Sequence, residues 1–130
     1  MRLILSALLL TVPALLPAAG ADKPKPVALF DGKTFDGWEG DTAKTWKIED
    51  GCLVAGSLDA VVPRNEFLCT KKTYGDFELK VTFKLTGEKN KNAGVQFRTK
   101  RIPNHHEVSG YQADAGQDYW GALYDESRRK

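Results

Sequence analysis

From Tyr74 to Leu85 the chain alternates with a period of two. Phe77, Leu79, Val81, Phe83 and Leu85 fall on one side, and Glu78, Lys80, Thr82 and Lys84 on the other. This is the pattern of a strand with one buried and one solvated face, as in an antiparallel sandwich, and it is the clearest strand signal in the sequence. Upstream, TWKIEDGCLVAG divides into two short runs around Glu49-Asp50-Gly51, and Asp-Gly between such runs predicts a hairpin. EFLCT reads as a further short strand. In VQFRTK, Val95 and Phe97 share one face and Gln96 and Arg98 the other. The loop RIPNHHE, marked by Pro103, precedes a returning strand, VSGYQAD. LFDGKTFDGW carries the turn dipeptides Asp31-Gly32 and Asp36-Gly37, with Trp38 expected to pack under the sheets. No segment has a helical period of useful length, so the predicted class is all-β.

The N-terminus follows a different pattern. Arg2, the apolar LILSALLLTVPALL and the small residues Ala19-Gly20-Ala21 together read as a secretory signal peptide over residues 1–21. The apolar run is shorter than the ~20 residues of a membrane span, and Pro13 and Pro17 interrupt it. The expected location is therefore secreted or periplasmic, with no cysteine at the cleavage point for lipid attachment and no membrane association after cleavage. A Pro/Lys-rich linker over 22–27 leads into a domain over 28–130. About 109 residues then remain, enough for one domain with a modest core.

Charge narrows the partners. Lys and Arg number 19 against 17 Asp and Glu, and a balance that even supplies no electrostatic footprint for nucleic acid or an anionic membrane. The short basic runs Lys89–Lys91 and Arg128–Lys130 read as solvated loops or ends. Cys52 and Cys69 are the only cysteines. Export permits a Cys52–Cys69 disulfide, but the sequence leaves it open, since the closeness of the two Cα atoms is not legible in it. With no CxxC or Cys/His cluster, these cysteines are not expected to hold a metal.

The stretch GYQADAGQDYWGALYDESRR, Gly110 to Arg129, combines aromatics with amides and carboxylates. Strict alternation puts Gln112 and Asp114 on one face and Tyr111, Ala113 and Ala115 on the other. If this strand neighbours VQFR, Gln96 and Arg98 join Gln112 and Asp114 in one patch, walled by Trp120, Tyr119 and Tyr124. Carbohydrate sites need this mixture of directional hydrogen bonds and flat apolar faces. An ordinary solvent-facing sheet with an Arg–Asp pair fits the same pattern. Asp125, Glu126, Arg128 and Arg129 form either a sugar-gripping rim or ion pairs in solvent.

Five segments in order, LFDGKTFDGW, WKIEDG, YGDFELKVTFKL, NAGVQFR and GYQAD…GALYDESRR, resemble the 3-keto-disaccharide hydrolase family, from about Val27 to the last residue. The resemblance implies a concanavalin A-like antiparallel β-sandwich (a jelly roll), similar to lectins and laminarinase-type glucanases. The family domain usually runs to roughly 180–200 residues, within the ordinary domain range. The expectation is thus that this chain holds the N-terminal part of the sandwich, truncated at the C-terminus.

The chemistry implied by the resemblance is glycoside cleavage on sugars oxidised at carbon 3. The ketone acidifies the hydrogen on carbon 2, a base removes it, the glycosidic oxygen leaves carbon 1, and water then adds. Asp114 is the first candidate base and Glu107 the second, with Arg98 a candidate contact for the developing oxyanion. Gln96 and Gln112 would bind hydroxyls, and Tyr111, Trp120 and Tyr124 would shape the pocket. A two-carboxylate glycosidase is disfavoured, because Gln112 stands where the related glucanases carry an acidic residue. His105 and His106, with Glu107 and Asp114, are possible ligands for a divalent metal polarising the keto oxygen. Exposed loop histidines are the alternative, and three well-placed ligands are the usual minimum for a catalytic zinc. The partner is a carbohydrate in every reading; a lectin-like binding module and an inactive fragment stand beside the enzyme.

Overall fold

The computed structural model describes residues 25–88, 91–116 and 118–128. The expected leader, the start of the linker, and parts of both short basic runs lie outside the described residues. Seven strands follow one another: β1 (Trp38–Glu39), β2 (Trp46–Glu49), β3 (Cys52–Ala55), β4 (Cys69–Thr70), β5 (Ala93–Arg101), β6 (Val108–Ala115) and β7 (Leu123–Glu126). They form three antiparallel sheets, β1–β4, β2–β3 and β5–β6–β7. No helix occurs among the described residues. The architecture is all-β and antiparallel, consistent with the β-sandwich predicted from the sequence.

The hairpin forms where the pattern placed it. Glu49 pairs with Cys52, so Asp50 and Gly51 are the whole loop, and both have positive φ, 48° and 73°. Two consecutive left-handed residues make the type I′ turn, whose twist suits a two-residue hairpin. LFDGKTFDGW is built as turns. Asp31 accepts hydrogen bonds from the Lys33 and Thr34 amides, both at 2.8 Å, and from the Thr34 hydroxyl at 2.9 Å. These bonds hold its carboxyl below the ordinary range. The Trp38 indole N–H donates to Leu29 O at 2.8 Å, which fixes the half-buried ring against the incoming chain.

The most buried strand is β6, which lies between β5 and β7. Val108 and Ala115, near its two ends, are 0% and 2% exposed, and Gly110 is also buried. Between Phe97 and Lys100 the β5–β6 register slips, and Arg98 there adopts φ 49°. An extra residue on one strand at a left-handed position is a β-bulge. A Cβ on Gly110 would come within 2.2 Å of Thr99 Oγ1 and 2.5 Å of Thr99 Cα, so Thr99 lies over Gly110, in the place strict alternation would give Arg98.

One expectation is corrected. Residues 71–92 contribute to none of the ladders among the described residues, although Tyr74–Leu85 has the strongest strand pattern. Alternation reports which side chains share a face; a ladder also needs a neighbouring backbone, and none of the described strands lies beside it. The disulfide is not formed. Both thiols are free, and the cysteines stand on different sheets, Cys52 opposite Glu49 and Cys69 opposite Glu39. Burial pushes the Cys69 thiol up, with Arg101 and Glu39 acting in opposite directions. The segment YDESRR, read either as a rim or as solvent ion pairs, holds the end of β7.

The Thr99–Gly110 approach gives a direct test of the bulge. Gly110→Ala forces backbone apart at the centre of the sheet and should cost about 1–3 kcal/mol, the usual range for overpacking, read as a shifted denaturation midpoint. An unchanged midpoint would contradict this packing.

Candidate functional site

Alternation along β6 and β7 assembles the site on one face of the three-stranded sheet. Gln96 pairs with Gln112, and Gln112 with Tyr124. Gly110 pairs with Glu126, which places Glu126 on the same face as Tyr124 and Gln112. Gly94 faces Asp114. A Cβ on Gly94 would lie 2.3 Å from Gln112 Cδ, so only glycine there lets the Gln112 side chain lie flat across the sheet.

The polar groups form one directed chain. Gln96 Nε2 donates to Gln112 Oε1 at 2.9 Å and Gln112 Nε2 to Asp114 Oδ1 at 3.3 Å, while the Thr99 hydroxyl has Gln96 Oε1 at 3.0 Å, Phe97 O at 2.9 Å and Tyr111 O at 3.3 Å within reach of its single proton. The Ala115 amide donates to the same Oδ1 at 2.9 Å. Both amides are thereby fixed in orientation, and each NH2 keeps a second N–H for a ligand oxygen. Both of these bonds to Asp114 land on Oδ1.

Glu126 supplies a second carboxyl on this face. Burial, then the negative charges of Glu107 and Asp114, raise its pKa above the ordinary carboxylate value. A carboxyl near two others is harder to ionise, and that serves proton transfer. Glu107 itself sits where the loop meets β6. Its Oε1 accepts from Asn65 Nδ2 at 3.2 Å and lies 3.7 Å from His106 Nδ1. Its Oε2 is buried and has no hydrogen-bond partner among the described residues.

The structure brings Gln96, Gln112 and Asp114 onto one face, with Tyr124 opposite Gln112, and separates two of their proposed companions. Arg98 leaves the face at the bulge, and its guanidinium pairs with Asp76 at 3.0 Å in solvent. This corrects the shared patch of Gln96, Arg98, Gln112 and Asp114: the extra residue breaks the period of two. Tyr111 lies on the opposite face, its ring 5.9 Å from that of Phe97, with the Arg128 guanidinium 4.1 Å from its centroid. Arg128 also pairs with Asp125, as the solvent-pair reading of YDESRR has it. Trp120 follows the β6 end and stacks parallel on Phe83, with centroids 5.7 Å apart and planes at 8°.

The histidines are engaged by the backbone. His105 Nδ1 accepts from the Glu107 amide at 3.1 Å, and His106 Nδ1 faces Asn65 O at 3.1 Å. Their rings stack at 4.5 Å. No group of three His, Cys, Asp or Glu side chains suited to a metal occurs among the described residues. These histidines line an open cleft of about 800 Å³ with Glu39, Arg64, Glu66 and Arg101. Its charges pair with one another, Arg64 with Glu66 at 2.7 Å and Arg101 with Glu39 at 3.3 Å. The amide–carboxylate face beyond it keeps its donors for a ligand, and is the better candidate.

Thr99, Gly94 and Arg101 were not singled out by sequence reasoning as parts of the site, and Glu126 was read only as one of four residues forming a sugar-gripping rim or solvent ion pairs. Alternation in Leu-Tyr-Asp-Glu is the signal that finds Glu126. Nothing in the sequence marks the bulge that brings in Thr99.

Residues 25–130 match the family of 3-keto-alpha-glucoside-1,2-lyase-like domains, and the chain belongs to that family. A similar protein is the 3-keto-disaccharide hydrolase of Bacteroides thetaiotaomicron, 30% identical over 83 residues. The match takes in 58% of this chain and 28% of that protein, so the chain spans well under a third of the relative's length. No solved structure matches the chain significantly.

The raised pKa of Glu126 fixes a sign. The native state holds this proton more tightly than the unfolded chain, so the stability it contributes is full below the ordinary carboxylate range and is lost as pH rises through the folded value. Glu126→Gln should therefore melt higher than the parent at neutral pH. The difference should vanish below pH about 4, and a Tm gap independent of pH would contradict the assignment.

Proposed function

We propose that this chain acts on 3-keto-glycosides by elimination, with the β5–β6–β7 face as its reacting surface. The observation that carries the reading is Asp114, oriented through one oxygen by Gln112 and the Ala115 amide, on the same sheet face as a second carboxyl, Glu126, whose pKa is raised. Family membership over residues 25–130 supports the substrate class, as does the printed name of the Bacteroides relative.

Elimination needs a base for the hydrogen on carbon 2 and an acid for the departing oxygen. In this reading Asp114 Oδ2 takes the proton. The C2–H electrons form the enolate with the carbon-3 ketone, then the C1=C2 double bond as the C1–O bond breaks. Glu126, the group that holds its proton longer, protonates the leaving oxygen. Water then adds across the double bond. The second N–H groups of Gln96 and Gln112 face the sugar oxygens and stabilise developing negative charge, the role first assigned to Arg98. Tyr124 and Trp120 supply the flat apolar surface for the ring. Export through the N-terminal leader belongs to the same proposal, and a mature protein beginning at Asp22 by intact mass supports it.

The test is product release from a 3-keto-glucoside beside the unoxidised glucoside. Release from the keto sugar alone is expected. Asp114→Asn should lower the rate by about 10²–10⁴, the usual share of a general base, while leaving binding largely intact. Gly94→Ala, which displaces Gln112, should lower it with little change in melting temperature. A folded protein that binds the sugar but releases nothing would point to a lectin-like module. Equal release from both glucosides would overturn the elimination.

A further inference from the structure

The strongest alternating segment of the sequence has no place in any described ladder. Phe77, Leu79, Val81 and Phe83 are between 41% and 55% exposed, and Glu78 and Lys80 pair only in solvent, at 3.2 Å with side chains 71% and 88% exposed. Among its contacts with the rest of the chain are the Asp76–Arg98 ion pair and the Phe83–Trp120 stack. It therefore presents an unpaired backbone edge and an apolar row together, the combination that recruits another strand.

We propose that residues 76–86 are a self-complementary edge through which two copies of this chain pair antiparallel, centred on Val81. The charge pattern selects both the partner and the register. With Val81 opposite itself, Glu78 meets Lys84 of the second copy on both sides of the axis, and Lys80 meets Thr82. On the other face Leu79 meets Phe83 and Phe77 meets Leu85, so both apolar rows lie on one side of the joined ribbon. Centring on Lys80 sets that lysine against itself. Centring on Thr82 sets Lys80 against Lys84. Centring on Leu79 matches Glu78 with Lys80, but leaves Phe83 opposite Gly75 and Leu85 opposite Thr73. Only the Val81 register satisfies the charges and the full apolar row at once. Pairing would also hold Phe83 under Trp120 and Asp76 beside Arg98, which ties the edge to the candidate site.

Sedimentation of the full chain over a concentration series tests the pairing. A dimer is expected. Glu78→Lys should weaken it at least tenfold by placing lysines opposite one another, and Glu78→Lys/Lys84→Glu should restore it. Because a charge variant can fail to fold, circular dichroism accompanies each. A second probe is independent: in a Cys52→Ser/Cys69→Ser background, Val81→Cys should cross-link into a dimer under mild oxidation, since the two side chains meet on the axis. A monomer at every concentration would overturn the proposal. So would a dimer indifferent to Glu78→Lys, or one that Lys84→Glu does not restore.

Discussion

The Arg101 guanidinium holds the β1–β4 pair and the loops beside it to the three-stranded sheet. It donates to Phe67 O at 2.7 Å, Glu39 O at 3.1 Å, His106 O at 3.5 Å and the Glu39 carboxylate at 3.3 Å. One side chain at the end of β5 thus ties β1, the segment leading into β4, and the loop that enters β6. The β1–β4 pair has two residues in each strand, and a ladder that short has no stability of its own. Hydrogen bonds to a charged group contribute roughly 1.5–3 kcal/mol each, and arginine offers enough planar donors to serve several acceptors without losing its charge. Where so little apolar surface is fully buried, such a clamp carries an unusual share of the order.

The bulge just before Arg101 links this clamp to the candidate chemistry. By adding a residue at Arg98, β5 sends one arginine outward to Asp76 and brings Thr99 over Gly110. Thr99 then stands within hydrogen-bond reach of Gln96, from which the amides lead through Gln112 to Asp114. The register beyond the bulge sets Arg101 opposite Val108, next to the loop carrying Glu107. A single irregularity therefore decides which charged side chain reaches the reacting face and which one anchors its frame. Two glycines complete the arrangement for opposite reasons: Gly94 makes room for the Gln112 side chain, and Gly110 makes room for the Thr99 backbone.

Much of this was legible in the sequence, for physical reasons that differ by element. The Asp50-Gly51 hairpin is local, and its turn chemistry suffices to define it. The pairing of β5 with β6, and with it the Gln96–Gln112–Asp114 face, followed from alternation and adjacency in the chain. The bulge was not legible, because Arg98 carries no glycine-like signature of its left-handed conformation. Tyr74–Leu85 failed in a different way: its amphipathic pattern is plain, but pairing depends on a partner that pattern cannot name. Cys52 and Cys69 were undecidable for a similar reason, since only tertiary placement put them on separate sheets. The role of Glu126 depends on burial and on Glu107 and Asp114, none of which a linear reading supplies.

The elimination proposed above turns on one chemical event, removal of the proton from carbon 2. That event leaves a signature that belongs neither to sugar binding nor to direct displacement at carbon 1. The most direct measurement is the cleavage rate of a 3-keto-glucoside carrying deuterium at carbon 2, against the protium substrate under single-turnover conditions. The account predicts a primary isotope effect, with the deuterated sugar cleaved several-fold more slowly, or deuterium at carbon 2 exchanged with solvent before cleavage where proton removal is reversible. Equal rates with the label fully retained at carbon 2 would contradict it.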